Sequence, residues 1–423
     1  MPRQMKDSGI PWVGVIPAEW KIGKGKYMLT LLSRQVRDDD GVITCFRDGE
    51  VTLRSNRRTE GYTFSDKEIG YQGIEPGDLV VHGMDGFAGA IGISDSRGKA
   101  TPVLNVLDSD QNKTYLMYYL RLMAITGVFL ALSTGIRVRS CDTNWNKIKE
   151  LLFPMPPLKE QNRIAEFLKQ QCKIIDSVLE KTKNSVEEYK KLKQAVITQA
   201  VTKGVRGNRE MRDSDVEWLG NIPADWNVYR IANLYDERSE SGLEELPILT
   251  VSINTGVSDH EIADEDKDRV FVRSEDRTKY KRVYPGDLAY NMMRAWQGAF
   301  GAVRVDGMVS PAYVVAKPKK NVKLDSRYME ALLRTSEATE EMHRYSRGIV
   351  DFRLRLYWPE FKNIRICLPP IAEQIEIADY IDEKSAAIDA LIAKKEAFAA
   401  ELENYKKSMI YEYVTGKKEV PQS

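Results

Sequence analysis

The sequence predicts an α+β chain. A mixed α/β globular domain is written twice, and its copies are separated by two long helices that pair as an antiparallel coiled coil, giving a dumbbell with approximate twofold symmetry. Three observations predict this. The phrase "IPAEW" at 16–20 returns 206 residues later as "IPADW" at 222–226. In each half a double proline opens a long stretch free of glycine and proline, at Leu158–Lys203 and at 371–415. Through both stretches apolar residues recur at alternating spacings of four and three.

A length of 423 residues leaves room for two or three domains, since single cores stop growing near about 250 to 300 residues. Hydrophobic and charged fractions of 42% and 30% describe a soluble folded chain. Cys45, Cys141, Cys172 and Cys367 lack Cys-x-x-Cys pairing, so neither a disulfide framework nor a zinc cage is indicated. A reducing, cytoplasmic setting fits. The start "MPRQMKDSGI" lacks the apolar core of an export signal. The net charge of +1 argues mildly against nucleic-acid binding, although an overall charge can hide opposite charges on separate elements.

The first elements in order are the repeated openings. Aligning 6–20 with 212–226 gives eight identities in fifteen positions: Asp7/Asp213, Ser8/Ser214, Trp12/Trp218, Gly14/Gly220, Ile16/Ile222, Pro17/Pro223, Ala18/Ala224 and Trp20/Trp226. Short β-branched runs punctuated by Gly and Pro follow, and these read as strands and turns. "PGDL" at 76–79 answers "PGDL" at 285–288; at the same offset of 209, Met84, Gly89, Ala90, Gly92 and Pro102 meet Met293, Gly298, Ala299, Gly301 and Pro311. The offset then becomes 213, where Gly135-Ile136 meets Gly348-Ile349, Trp145 meets Trp358, and "PPLKEQ" meets "PPIAEQ". The stretch 114–133 carries a single charge and is apolar enough to suggest a membrane span. Its counterpart at 327–346 is thoroughly polar, so a helix buried in one copy and less buried in the other is the better reading.

The long segments come last in each half. The seam expected on the first is Ile164, Leu168, Ile175, Val178, Tyr189, Leu192 and Val196. On the second it is Ile377, Ile381, Ile388, Leu391, Phe398, Leu402, Tyr405 and Met409. The stretch 157–199 has net charge +3 and 370–412 has −5, which favours pairing of the two with each other. At 1.5 Å per residue each helix extends roughly 60 Å. The expected boundaries are therefore 1–156 for the first globular domain, 157–204 for the first spacer helix, 205–369 for the second domain, and 370–423 for the second helix and tail.

Taken in this order, the openings "DSGIPWVGVIPAEW" and "DSDVEWLGNIPADW", the "PGDL" strands, the "PPLKEQ" and "PPIAEQ" helix starts and the helix ends "ITQAVTKG" and "IYEYVTGK" resemble the specificity subunits of type I restriction-modification systems over the whole chain. The resemblance implies two target recognition domains, each reading one part of a split duplex DNA target, with the coiled coil setting the unread gap. It implies two adenine methyltransferase (modification) subunits and ATP-driven restriction/translocase subunits as partners in a prokaryotic cytoplasm. S-adenosylmethionine, ATP and Mg would be bound by those partners, and no cofactor or metal by this chain. A rod of roughly 60 Å matches somewhat under two turns of duplex at about 34 Å per turn.

No catalytic residues are expected. Pro156-Pro157 and Pro369-Pro370 are flanked by Met155 and Leu158 and by Leu368 and Ile371, not by the Asn or Asp and the aromatic that an adenine methyltransferase needs to hold its target amine. No Gly-x-x-x-x-Gly-Lys-Ser/Thr phosphate loop occurs. Acid-x-Lys triplets at Glu188, Glu265, Glu360 and Asp382 are as frequent as this charge content makes them, and His82, His260 and His343 have no ligand spacing.

Three places are expected to touch DNA. "TLRSNRRTEGY" sets Arg54, Arg57 and Arg58 beside Asn56, an amide able to pair adenine bidentately. After each PGDL strand, "HGMDGFAGAIG" meets "NMMRAWQGAFG": the glycines are shared and allow close backbone approach, while Arg294 and Gln297 replace Asp85 and Ala88. Phe87 and Trp296 suit a core. Beyond the shared Gly-Ile, Arg137 and Arg139 in one half and Arg353 and Arg355 in the other alternate along one face of an extended strand, with Arg347 just before the second pair. The competing class of function is a duplicated coiled-coil scaffold that joins proteins and never binds DNA. The repeated Trp20 and Trp226 are expected either to pack on a shared structural neighbour or to line a surface met by the methyltransferase.

Overall fold

Leu79, Val80 and Val81, from the first PGDL strand, are all fully buried because both faces of their sheet are covered. Leu79 and Val81 join the large core with Leu107 and Tyr119, whereas Val80 points the other way, toward Ile43, Val51 and Val106. A strand covered on both faces loses the apolar/polar alternation of a half-exposed one. The computed structural model describes residues 3–57, 69–132, 143–261, 277–348 and 354–421. The chain divides into two units, Met1–Lys183 with Glu396–Ser423, and Asn184–Lys395.

The first unit is built on a four-stranded antiparallel sheet in the order Thr30–Leu31, Leu104–Asp108, Leu79–His82, Ile91–Ile93. The helix Lys113–Ile125 covers one face; Asn112 caps it by accepting the Tyr115 N–H at 2.9 Å. This is the apolar segment that invites a membrane reading, and Tyr115, Leu116, Tyr119, Leu120 and Met123 are buried in the protein core. Among the described residues no helix is long and apolar enough to cross a membrane. The hairpin Ile43–Cys45/Val51–Leu53 covers the other face. The strand Lys21–Lys24 pairs with Leu152–Met155 just before the first long helix, Leu158–Lys203.

The second unit repeats the plan. Its sheet runs Tyr235–Arg238, Tyr313–Pro318, Leu288–Asn291, Phe300–Ala302, and Asn227–Arg230 pairs with Arg365–Leu368 before the second long helix, Ile371–Val414. Here the covering helix is split into Ser326–Leu333 and Ser336–Tyr345. Thr335 caps the latter by accepting the Ala338 N–H, which accounts for the more polar counterpart seen in the sequence.

Within each unit a stretch of one long helix runs antiparallel to a stretch of the other. In the first unit Lys406 bonds Asp176 at 2.6 Å, Lys183 approaches Glu403 at 3.8 Å, and the Phe167 and Tyr413 rings lie 4.6 Å apart. In the second unit Lys193 bonds Asp389 at 2.7 Å and Lys395 sits over the Tyr189 ring. Ile164, Leu168, Ile175, Ile377, Ile381, Ile388 and Met409 are buried, and Val178, Tyr189, Val196 and Leu402 are half-buried. The expected seam needs correction at four positions: Leu192, Leu391, Phe398 and Tyr405 are 48%, 42%, 48% and 58% exposed. The buried run on the first helix is Leu168, Cys172, Ile175, Leu179, Thr182, Val186. Its alternate members therefore fall one residue later than apolar counting places them. Contact positions filled by small residues or by long lysine stems, such as Ala399, Lys395 and Lys406, are invisible to such counting.

The repeated phrases are joints. Trp20 is fully buried, and its Nε1 donates to Glu160 of the "PPLKEQ" helix start at 3.1 Å. Arg3 bridges Glu19 and Glu160 and lies over the Trp20 ring. In the second unit Arg209 bridges Asp225 and Glu373 and lies over Trp226 in the same way. A Cβ on Gly416, past the end of the second helix, would strike Pro17 at 2.4 Å and Trp20 at 3.0 Å; one on Gly204, past the end of the first, would meet Trp226 at 3.3 Å. Tyr115 donates to Pro154 and Val414 carbonyls (2.7 and 3.0 Å), and Tyr328 to Cys367 and Val201 carbonyls (both 3.2 Å). Gln161 and Gln374 each accept the N–H of a helix cap, Asn112 or Asp325, and donate to the first proline of the pair. The tryptophans thus pack on a shared structural neighbour. The aspartate of each "PGDL" is structural too. Asp78 accepts from Glu75 N–H and Arg34, and Asp287 accepts from Tyr284 N–H and Arg238.

Candidate nucleic-acid interface

Where the central strand of each sheet ends, the chain makes a tight turn whose first polar side chain holds it. His82 Nδ1 accepts the N–H groups of Met84 (3.2 Å) and Asp85 (3.1 Å). Asn291 Oδ1 accepts that of Met293 at 3.0 Å. A nitrogen that accepts must be unprotonated, and burial holds the His82 imidazole below its ordinary pKa. Each turn then makes a short 3-10 segment, Gly86–Ala88 or Ala295–Gln297, and closes on a left-handed glycine, Gly89 at φ 97° or Gly298 at φ 91°.

The shared glycines serve the protein's own packing. A Cβ on Gly92 would lie 1.9 Å from the Gly49 carbonyl oxygen, and one on Gly301 would lie 2.6 Å from the Val257 nitrogen. The close backbone approach that they permit is therefore to a two-stranded hairpin of the same unit packed beside the four-stranded sheet. Phe87 and Trp296 pack against the cores, Trp296 edge-on to His343 at 5.2 Å.

Around the second turn the structure gathers four of the sequence-selected residues. The Leu356 N–H donates to Met292 carbonyl at 2.8 Å, and Arg347 and Arg355 exchange both backbone hydrogen bonds at 2.9 Å. This brings Arg347 and Arg355 to the turn that carries Arg294 and Gln297. Arg294 is half-buried and Gln297 exposed, while the Arg347 guanidinium pairs with Glu360 at 2.6 Å. In the first unit the same crossing is made by Thr143, whose N–H donates to Gly83 carbonyl and whose hydroxyl donates to His82 carbonyl. Asp85 there is paired with Arg47 at 2.8 Å.

Arg54, Asn56 and Arg57 lie apart from this turn on the hairpin at 43–57, engaged with their own hairpin. Arg54 Nε donates to Thr44, the Asn56 amide to Thr52, and Arg57 pairs with both Asp48 and Glu50 while lying over the Phe46 ring. Arg58, Arg137, Arg139 and Arg353 lie outside the described residues. Sequence reasoning missed the paired holders His82 and Asn291 and the joint arginines Arg3 and Arg209. The signal was present for the latter, since they share the 206-residue offset of the tryptophans they cover. Among the described residues no group of three His, Cys, Asp or Glu side chains could hold a metal. Cys45 and Cys367 are buried thiols whose pKa burial pushes up to about 12.

No family model matches the chain. It is 24% identical over 238 residues to the "Putative type I restriction enzyme MjaX specificity subunit" of Methanocaldococcus jannaschii, covering 52% of this chain and 54% of the relative. It is 26% identical over 288 residues to the MjaVIII specificity subunit of the same organism, covering 64% and 62%. With the EcoBI specificity subunit of Escherichia coli it shares 23% identity over 368 residues, 80% and 73% of the two chains. The chain is similar to the specificity subunits of type I restriction enzymes. Two solved structures share the specificity-subunit fold at 15% identity. A chain from a study of complex assembly and conformational transition of the type I restriction-modification system matches with TM-score 0.67, covering 95% of this chain and 99% of that one. The HsdS subunit from Thermoanaerobacter tengcongensis matches with TM-score 0.51, covering 95% and 98%. The chain spans 54% and 62% of the length of the two archaeal relatives it matches.

Proposed function

We propose that this chain is the non-catalytic DNA-specificity subunit of a type I restriction-modification complex. Residues 1–156 and 205–369 act as target recognition domains, each reading one half of a bipartite duplex target, and the helical stretches 157–204 and 370–423 set the unread spacer. It carries two adenine methyltransferase subunits and the restriction/translocase subunits, and those partners bind S-adenosylmethionine, ATP and Mg. The observation that carries the reading is a division of labour along the sequence. The joints are duplicated nearly residue for residue, while the turn after the central strand keeps its backbone and changes its side chains, Asp85 and Ala88 against Arg294 and Gln297. Two readers of different half-sites need a common frame with different contacts. Arg294, Gln297, Arg347 and Arg355, with Arg353 beside them in sequence, are the contacts proposed for the second half-site; Arg137 and Arg139 are proposed for the first, supported there by Arg54, Asn56, Arg57 and Arg58.

Mapping methylated adenines across the genome with and without this gene tests the reading. A split motif should vanish on deletion and return on complementation. Complementation with Arg294→Ala/Gln297→Ala should lose or relax one half of the motif only. An unchanged methylation map on deletion would favour the scaffold that never contacts DNA.

A further inference from the structure

The turns after the two central strands share four residues, and packing accounts for three of them. In "HGMDGFAGAIG" and "NMMRAWQGAFG" the shared pairs are Met84/Met293, Gly89/Gly298, Ala90/Ala299 and Gly92/Gly301. Gly89 and Gly298 take left-handed backbone, and Gly92 and Gly301 give clearance to the hairpin packed beside them. Ala90 and Ala299 are buried where each turn closes. Their N–H groups donate to the Asp85 and Arg294 carbonyls, and their carbonyls accept from the His82 and Asn291 N–H groups. The methionines have no such account: Met84 is 59% exposed and Met293 45% exposed.

A single exposed apolar side chain is ordinary on any protein surface. The same one at the same place in both units, among neighbours that change, calls for a cause. Its backbone is also fixed alike in the two copies, because the peptide entering each methionine is hydrogen-bonded at both its N–H and its carbonyl. The Met84 N–H donates to His82 Nδ1 at 3.2 Å and the Met293 N–H to Asn291 Oδ1 at 3.0 Å. The carbonyls of Gly83 and Met292 accept the N–H groups of Thr143 and Leu356, both at 2.8 Å, and these two donors correspond at the offset of 213. Each unit thus holds an unbranched apolar side chain out to solvent on a pinned turn. In the second unit that turn is also where Arg294, Gln297, Arg347 and Arg355 gather, so Met293 stands beside the groups proposed for DNA contact.

We propose that Met84 and Met293 are wedges that enter the duplex beside the adenine to be methylated in each half-site, parting a base step so that this adenine can leave the stack. The proposal rests on the DNA-specificity reading above. A thioether offers a phosphate nothing, and a residue that selects one base would differ between readers of different half-sites. What the two half-sites have in common under that reading is an adenine that a modification subunit must take out of the stack, since a methyltransferase cannot reach its target atom inside a duplex. Apolar side chains, methionine among them, serve as wedges by filling the space between parted bases. The unbranched, polarisable methionine side chain adapts to whichever step it meets. A turn that is already fixed behind the wedge loses little freedom on insertion.

The test uses the chain assembled with its modification subunits and duplexes that carry the whole methylated motif. The fluorescent analogue 2-aminopurine replaces the target adenine of one half-site or the other, and its emission rises when the base unstacks. The parent should raise emission at both positions. Met84→Ala should cut the rise about threefold or more in the first half-site alone and Met293→Ala in the second alone, while Met84→Leu and Met293→Leu keep it. Each Ala variant should also methylate its own half-site about tenfold more slowly in a paired duplex, and recover the parental rate where the target adenine is mispaired and little unstacking remains to be done. An equal rise in the parent and both Ala variants would overturn the proposal, as would selective binding by the parent with no rise at either position. Ala variants that lose their co-purifying modification subunits would overturn it too, because the turn would then meet protein. Failure of the parent to bind the motif duplex selectively would instead sink the specificity reading itself.

Discussion

His82 and Asn291 hold equivalent turns with different chemistry, and only one of them can titrate. The imidazole accepts two backbone N–H groups, so it must be neutral, and its folded pKa lies below the ordinary value because burial penalises the charged ring. As pH falls through the unfolded value, about 6.5, the unfolded chain takes up the proton first. Stability that is complete above that pH is then lost progressively until the depressed folded pKa is reached. The urea midpoint of the first unit should therefore fall between pH 7.5 and 5.5, with earlier exchange of the Met84 and Asp85 amides, and His82→Asn should flatten that dependence. A midpoint equally pH-dependent in the Asn variant would remove His82 from the account. At this scale the sequence signals residue type well and role poorly. Asp78 and Asp287 are recognisable as a repeated motif, yet only the structure assigns them to a turn and to Arg34 and Arg238. Charge alone marks Arg57 as a candidate contact, and only the structure shows that Asp48 and Glu50 of its own hairpin pair with it.

At the scale of elements, both long helices were legible from the double prolines and the absence of helix breakers. Their register was not. Apolar residues on the second helix at 391, 398 and 405 follow a seven-residue repeat as faithfully as the true seam does, but they are exposed. A pattern shared by two faces of one helix does not say which face is covered. The decision comes from the partner helix, through pairs such as Lys406 with Asp176 and Lys395 with Tyr189. Replacing Leu391 or Phe398 by Gln should therefore change unfolding free energy by less than about 0.5 kcal/mol, as for surface positions. Leu168→Ala, at a fully buried position, should cost about 2 to 5 kcal/mol. Comparable losses at Leu391 and Leu168 in chemical denaturation would restore the register expected from counting.

For the whole molecule, the duplication in sequence does not coincide with the division into units. The first unit needs Glu396–Ser423 from the far end of the chain, whereas Asn184–Lys395 is continuous. A chain ending at Lys395 would deprive Trp20 of the cover it has from Gly416, and Tyr115 of its acceptor at Val414. Such a chain should keep a cooperative transition for the second unit and lose that of the first, as read by hydrogen exchange of the two PGDL strands. Protection of Leu79–His82 as strong as in the full chain would contradict this. The sequence by itself determined that a domain is duplicated, where each copy begins, that two long helices follow the double prolines, and the family to which the whole is similar. Those facts are carried by local chemistry and by repetition, both of which can be seen without contacts. Only the tertiary structure decided that the repeated phrases are joints, which helix face is covered, and that Arg294, Gln297, Arg347 and Arg355 meet at one turn. Each of these depends on which distant residue fills the space opposite, and one chain's order of residues does not state that.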